Sequence, residues 1–153
     1  MQALAIVVAD AARARLFTFK REDDQAPAPV LRERADLVSP ERRMHEKDLY
    51  SDARASQASR AGVAYEDNRT AHTSETERRF AQQVMAQAAA MVKDTACARV
   101  ALVASPRFLG HLREHASALR GVPVDEVARD LTGEPTPKLR EHLASLGVLP
   151  PRA

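Results

Sequence analysis

The side chains best suited to chemistry are few and far apart in this sequence. Asp10 closes an apolar run at residues 3–9. A carboxylate there can help hold a divalent metal that activates water, provided partner acids converge on it. None stands at the matching place elsewhere: the apolar run at 98–104 leads into Ser105, Pro106 and Arg107. Asp10 therefore reads as a turn or cap residue, and a metal-dependent nuclease is not expected. His111 and His115 have the i,i+4 spacing that can share a metal. The zinc-protease order needs Glu directly after the first His, whereas Leu112 stands there and Glu114 precedes His115. No third ligand is identifiable, so the pair reads as the solvent-facing side of an amphipathic helix. Ser105 lacks the Gly-x-Ser-x-Gly frame of a hydrolase elbow, and five scattered glycines make no phosphate loop. The sequence thus assigns no catalytic residue, no metal and no cofactor. Asp10 and His72, which sits near an expected helix start, form a candidate local polar site.

Arginine is more suggestive. The chain has 19 Arg against 4 Lys, with a formal net charge of only +2. Arg makes paired contacts with phosphate and carboxylate. Arg13 and Arg15 share one strand face by the period of two. Arg107 lies near a helix start, where backbone amides help to hold an anion. Residues 41–72 add Arg42, Arg43, Lys47, Arg54, Arg60 and Arg69. These groups would form an anion-binding rim. Between residues 31 and 79, however, ten basic side chains face ten acidic ones, so a salt-bridged, solvated loop is the competing expectation.

The elements that must position these residues follow from hydrophobic period. Residues 3–9 are apolar almost throughout, as in a strand covered on both faces. Residues 13–20 partly alternate and follow a tight turn, which predicts an antiparallel partner. Residues 30–38 supply a weaker edge strand, closed by Pro40. Residues 41–72 have no clear period and are read as one long Arg-bearing loop holding at most a short helix. Ser74 and Glu77 have capping-box spacing ahead of an apolar stripe at Phe80, Val84, Ala88, Met91 and Val92, predicting a helix from Ser74 to Asp94. A second central strand is expected at 98–104. Ser105 and Pro106 then open a helix that Gly121 stops. A short strand at 124–131 and a helix opened by Thr136-Pro137 and ended by Gly147 complete the order β-β-β, loop, α-β-α-β-α. Helices between strands predict one layered α/β domain over residues 1–153, with a mixed sheet.

Composition is compatible with that domain. The chain has 153 residues, 44% of them hydrophobic but only 4% aromatic, and 29 are Ala. A single Cys97 excludes an internal disulfide and a multi-cysteine zinc site, which suits a reducing, cytoplasmic setting. No run approaches the ~18 apolar residues of a membrane span. Residues 1–9 lack a basic leader and a processing site, so no signal peptide is expected there.

Several segments carry a resemblance. Val7-Val8-Ala9-Asp10-Ala11-Ala12-Arg13-Ala14-Arg15-Leu16-Phe17 is similar to the opening of the bacterial host attachment family, "protein required for attachment to host cells". His72-Thr73-Ser74, Ala104-Ser105-Pro106-Arg107-Phe108-Leu109-Gly110 with Leu112-Arg113, and Arg129-Asp130-Leu131-Thr132 resemble its later segments in order. That family is grouped with the middle domain of archaeal and eukaryotic peptide-chain release factors. The resemblance implies a ribonuclease-H-like topology, with a mixed five-stranded sheet flanked by helices. In release factors this domain bears a Gly-Gly-Gln loop. The matching stretch here, around residues 52–62, has Gln57 preceded by Ala55 and Ser56, so peptide release is not carried over. What remains is a non-enzymatic accessory binding protein, with ribosome or structured RNA as candidate partner and Arg13, Arg15, Arg54, Gln57, Arg60 and Arg107 as candidate contacts. The alternatives are a module that binds another protein or a second copy of itself and acts on attachment indirectly, and a degenerate hydrolase or nuclease. Membrane insertion is not expected.

Overall fold

The computed structural model describes residues 2–40 and 63–151, and for 63–72 the backbone alone. Strands β1 (Leu4–Ala9), β2 (Arg13–Lys20) and β3 (Val30–Val38) come first. Helix α1 (Val63–Thr95), strand β4 (Arg99–Ala104), helix α2 (Pro106–Arg113), a 3-10 turn (Ala116–Leu119), strand β5 (Val124–Ala128) and helix α3 (Thr136–Ser145) follow. The five strands lie in the order β3-β2-β1-β4-β5. β1 pairs antiparallel with β2 and β2 with β3. β1 pairs parallel with β4 and β4 with β5. The expected single three-layer α/β domain with a mixed five-stranded sheet is the fold observed, consistent with a ribonuclease-H-like topology.

The apolar runs explain why β1 and β4 are central. Successive side chains of a strand point to opposite faces. Ala5, Val7 and Ala9 of β1, with Val100, Leu102 and Ala104 of β4, pack under Phe80, Val84, Met85 and Ala88 of α1 and Phe108 and Leu112 of α2. Ile6, Val8, Ala101 and Val103 point the other way, with Phe17 and Phe19 of β2, onto Leu139 and Leu143 of α3. A strand covered twice must be apolar at every position. β3 is covered less, and its exposure alternates along its whole length.

Three local expectations are corrected. The helix predicted from Ser74 begins at Val63, so residues 63–72 are helical and not part of a loop; residues 41–62 lie outside the described residues. Ser74 and Glu77 are consequently interior to α1 and make no capping box. Tertiary burial of Glu77, not the helix start, accounts for the spacing. The helix predicted between Ser105 and Gly121 is broken in two. Ser105 makes no side-chain cap, and Arg120 (φ 47°) and Gly121 (φ 80°) turn the chain left-handed after the 3-10 turn.

Candidate functional site at the carboxyl edge of the sheet

The parallel strands β1, β4 and β5 end on one edge, and the outgoing β3 ends there too, because it runs antiparallel to β2. Four turns or helix starts therefore crowd that edge. Asp10 leaves β1 and caps the turn into β2: its Oδ1 accepts from the backbone N–H groups of Ala12 (2.7 Å) and Arg13 (2.8 Å). This is the turn role read from the sequence. Its Oδ2 meets the Thr132 hydroxyl at 2.8 Å, and the same hydroxyl lies 2.8 Å from Asp130 Oδ1. Thr132 is buried, so this short chain ties the exit of β5 to the exit of β1.

Arg15 fixes the same loop from beneath. Its guanidinium donates to Glu33 Oε1 (2.7 and 3.1 Å), to the Thr132 carbonyl (3.2 Å), to the Glu134 carbonyl (2.5 Å) and to Thr136 Oγ1 (3.3 Å). It also lies over the Phe17 ring at 5.0 Å. With 6% exposure and its donors committed, Arg15 is a structural bracket and does not reach an outside anion. Arg13 is half-exposed and bidentate to Asp36, with Nε–Oδ1 2.9 Å and Nη2–Oδ2 2.6 Å. The hydrogen bond from Arg13, aided by its charge and that of Arg15, holds the Asp36 carboxyl below its ordinary range, with partial burial opposing. The same hydrogen bond raises Arg13.

Arg107 lies on the other face. Its Nε is 3.1 Å from Glu77 Oε2, and its Nη2 donates to Ser74 Oγ at 3.2 Å, joining the start of α2 to α1. Glu77 is buried, and His111 Nε2 stands 3.3 Å from the same oxygen. His111 also meets Phe108 edge-on, with ring centroids 6.3 Å apart. Its side chain is 12% exposed, so the expected solvent-facing role is corrected: His111 belongs to the α1–α2 seam. Glu77, read from sequence as half of a capping box, is the acid of that seam.

The candidate residues thus separate into groups. Arg13 and Arg15 sit on the α3 side of the sheet, where Val8 pairs with Arg15. Arg107 sits on the α1–α2 side, so the single rim of Arg13, Arg15 and Arg107 is not formed. Arg54, Gln57 and Arg60 lie outside the described residues, as does the side chain of His72, the expected companion of Asp10. Thr132, Asp130 and Glu33 were missed as site residues. A Thr flanked by an acid two positions earlier was the available signal for the first two, and nothing in sequence tied Glu33 to Arg15. Among the described residues no three His, Cys, Asp or Glu side chains cluster as metal ligands, and no helix is long and apolar enough to cross a membrane.

The class that the fold and this edge define is a three-layer α/β domain whose carboxyl edge is braced by hydrogen bonds and ion pairs. The chain belongs to the family described as "Protein required for attachment to host cells", whose model matches residues 5–143. No functionally curated protein matches the sequence. Among solved structures, it is similar to the type II variant of the Ppx/GppA phosphatase from Aquifex aeolicus, at 13% identity and a TM-score of 0.45. That match covers 83% of this chain but only 36% of the phosphatase.

Proposed function

We propose that this host-attachment family protein is a non-catalytic binding module of the cytoplasm, and that it meets structured RNA, ribosomal RNA foremost, through residues 41–62. The kinship to release-factor middle domains is part of the same reading. The observation that carries it is the position of the two stems. Ser39 leaves β3 at the carboxyl edge, its N–H donating to the Ala12 carbonyl at 2.9 Å. Ser74, held by Arg107, marks where α1 passes that edge, and the helix extends N-terminally from there to Val63. At 1.5 Å per residue, that extension carries the chain roughly 16 Å farther. Both described stems, Ser39 and the N-terminal part of α1, thus leave the fold on the side of the carboxyl edge, which supports this reading. Arg54, Gln57 and Arg60 make the contact, and the exposed Arg13 and Arg107 flank it by exchanging Asp36 and Glu77 for phosphate. Arg15 stays structural.

Cosedimentation with ribosomes across a salt series tests this. Phosphate contacts release counterions, so retention falls as salt rises. Arg54→Ala with Arg60→Ala should abolish retention at a salt concentration where the parent chain is held. A specific observation favours a second reading, a module that binds another protein. On the described surface Arg13, Arg32, Arg78, Arg79, Arg99, Arg107 and Arg113 all lie within ion-pair distance of carboxylates, so these seven are already matched by acids. Retention unmoved by salt or by the arginine substitutions would decide for that reading.

A further inference from the structure

A groove of about 240 Å³ lies between the last turns of α1 and strands β2 and β3. Leu16 from β2, Ala35 from β3, and Ala90 and Met91 from α1 give it apolar walls, and Gln87 and Thr95 add polar lining. Two opposite charges also line it, Arg34 from β3 and Asp94 from α1. Arg34 reaches it through a bulge. Leu16 faces Ala35 while the next residue, Phe17, faces Glu33, so Arg34 is the extra residue of β3. Neighbours on a regular strand point to opposite faces. A bulge re-aims one of them, and here Arg34 and Ala35 both line the groove. The guanidinium is pinned by one contact, its Nε donating to the hydroxyl of the buried Thr18 at 2.8 Å. A hydroxyl brings no charge to match it. Among the described residues no group meets Nη1 or Nη2, which leaves both amino groups of the fork open. Asp94 is placed against helix electrostatics. It lies in the last turn of α1, where the helix dipole disfavours an anion, and among the described residues no cation stands within ion-pair distance of it. The helix end is already served, since Lys20 Nζ reaches the Thr95 carbonyl at 3.5 Å and Thr95 Oγ1 donates to the Met91 carbonyl. The Asp94 carboxylate is therefore the open acceptor of the groove.

We infer that this groove binds a free α-amino acid with a short aliphatic side chain. The α-carboxylate matches the two open amino groups of Arg34, the α-ammonium matches Asp94, and the side chain lies along Leu16, Ala35, Ala90 and Met91. Apolar walls with a few convergent polar groups are the usual construction of a small-molecule site. The volume falls below the roughly 300 Å³ at which drug-sized sites begin, which suits so small an occupant. A monocarboxylate leaves Asp94 unmatched and a simple amine leaves Arg34 unmatched. Only a ligand bearing both charges answers both side chains.

Three probes of one carbon skeleton, titrated separately into the whole chain and followed by two-dimensional NMR, test the proposal: leucine, leucinamide, which lacks the carboxylate, and isocaproate, which lacks the ammonium. Leucine is expected to saturate and to shift signals of Leu16, Ala35, Ala90 and Met91 together. It should bind roughly tenfold more tightly than either of the others, the worth of one charge-assisted pair. Arg34→Gln should erase its advantage over leucinamide, and Asp94→Asn its advantage over isocaproate. Asp94→Asn takes an anion away from the helix end, so its melting temperature should match or exceed that of the parent, which separates lost binding from lost folding. Should Arg34→Gln fail to fold, Asp94→Asn alone decides. Equal affinity for the three probes, shifts centred elsewhere, no saturation by leucine, or an Asp94→Asn chain that still prefers leucine to isocaproate would overturn the assignment.

Discussion

Arg15 shows how a side chain that looks like a ligand for anions becomes a part of the frame. It sits on β2 among Leu16 and Phe17, and its partners are Glu33 on β3 and two carbonyls of the loop before α3. Those partners lie 18 and more than a hundred residues away in sequence, so only the fold reveals that it is spent. Removing it orphans a partly buried carboxylate and two carbonyls, that of Thr132 fully buried. Arg15→Met is expected to cost about 3 kcal/mol or more, read as a lowered urea midpoint at unchanged slope. Arg13 and Asp36 behave differently because both are about two-fifths exposed. The Asp36 carboxyl is depressed in the folded chain, so its contribution is complete above the unfolded value near 3.8 and is lost as pH falls through the lower folded value. Asp36→Asn should therefore be less stable than the parent at pH 7 by at most about 1 kcal/mol. That gap should close below about pH 4, and a gap of the same size in urea melts at both pH values would contradict the argument.

At the scale of elements, the helices illustrate two kinds of legibility. The stripe from Phe80 to Val92 was readable because burial imposes the helical period. The first turns of α1 were not, since Val63–Thr73 has no such stripe and propensity alone is a weak guide. The polar pair Ser74 and Glu77 imitated a helix start because the same i,i+3 spacing that serves a capping box also places two side chains on one helix face, here toward Arg107. The other end of α1 has an improvable stop. The Cys97 N–H bonds the Val92 carbonyl at 3.1 Å, and Ala96 has φ 54°. This is a Schellman stop with alanine where glycine is usual. Ala96→Gly relieves a left-handed strain of roughly 1–2 kcal/mol and loses part of it to chain entropy. A net gain of about 0.5–1 kcal/mol should appear as a melting temperature raised by roughly 2–4 °C.

For the whole molecule, strand number, order along the chain and the two-faced core were legible in apolar runs, whereas the partition of the arginines was not. That partition depends on which face each element covers: β2 turns Arg15 toward α3, and α2 carries Arg107 over the opposite layer. The sheet's wiring has a temporal side as well. β1 lies between β2, its immediate successor, and β4, which begins only at Arg99. The first partner closes by a local hairpin; the second demands a long-range closure, which is the slow kind. While the chain is being made, Leu4–Ala9 holds one hydrogen-bonding flank open until residue 104 has emerged, a state prone to self-association. A chain cut after Thr95 should accordingly precipitate or pellet with other copies of itself, whereas the full chain, with β4 paired to β1 and α3 covering Ile6, Val8, Phe17 and Phe19, should remain in the supernatant on centrifugation.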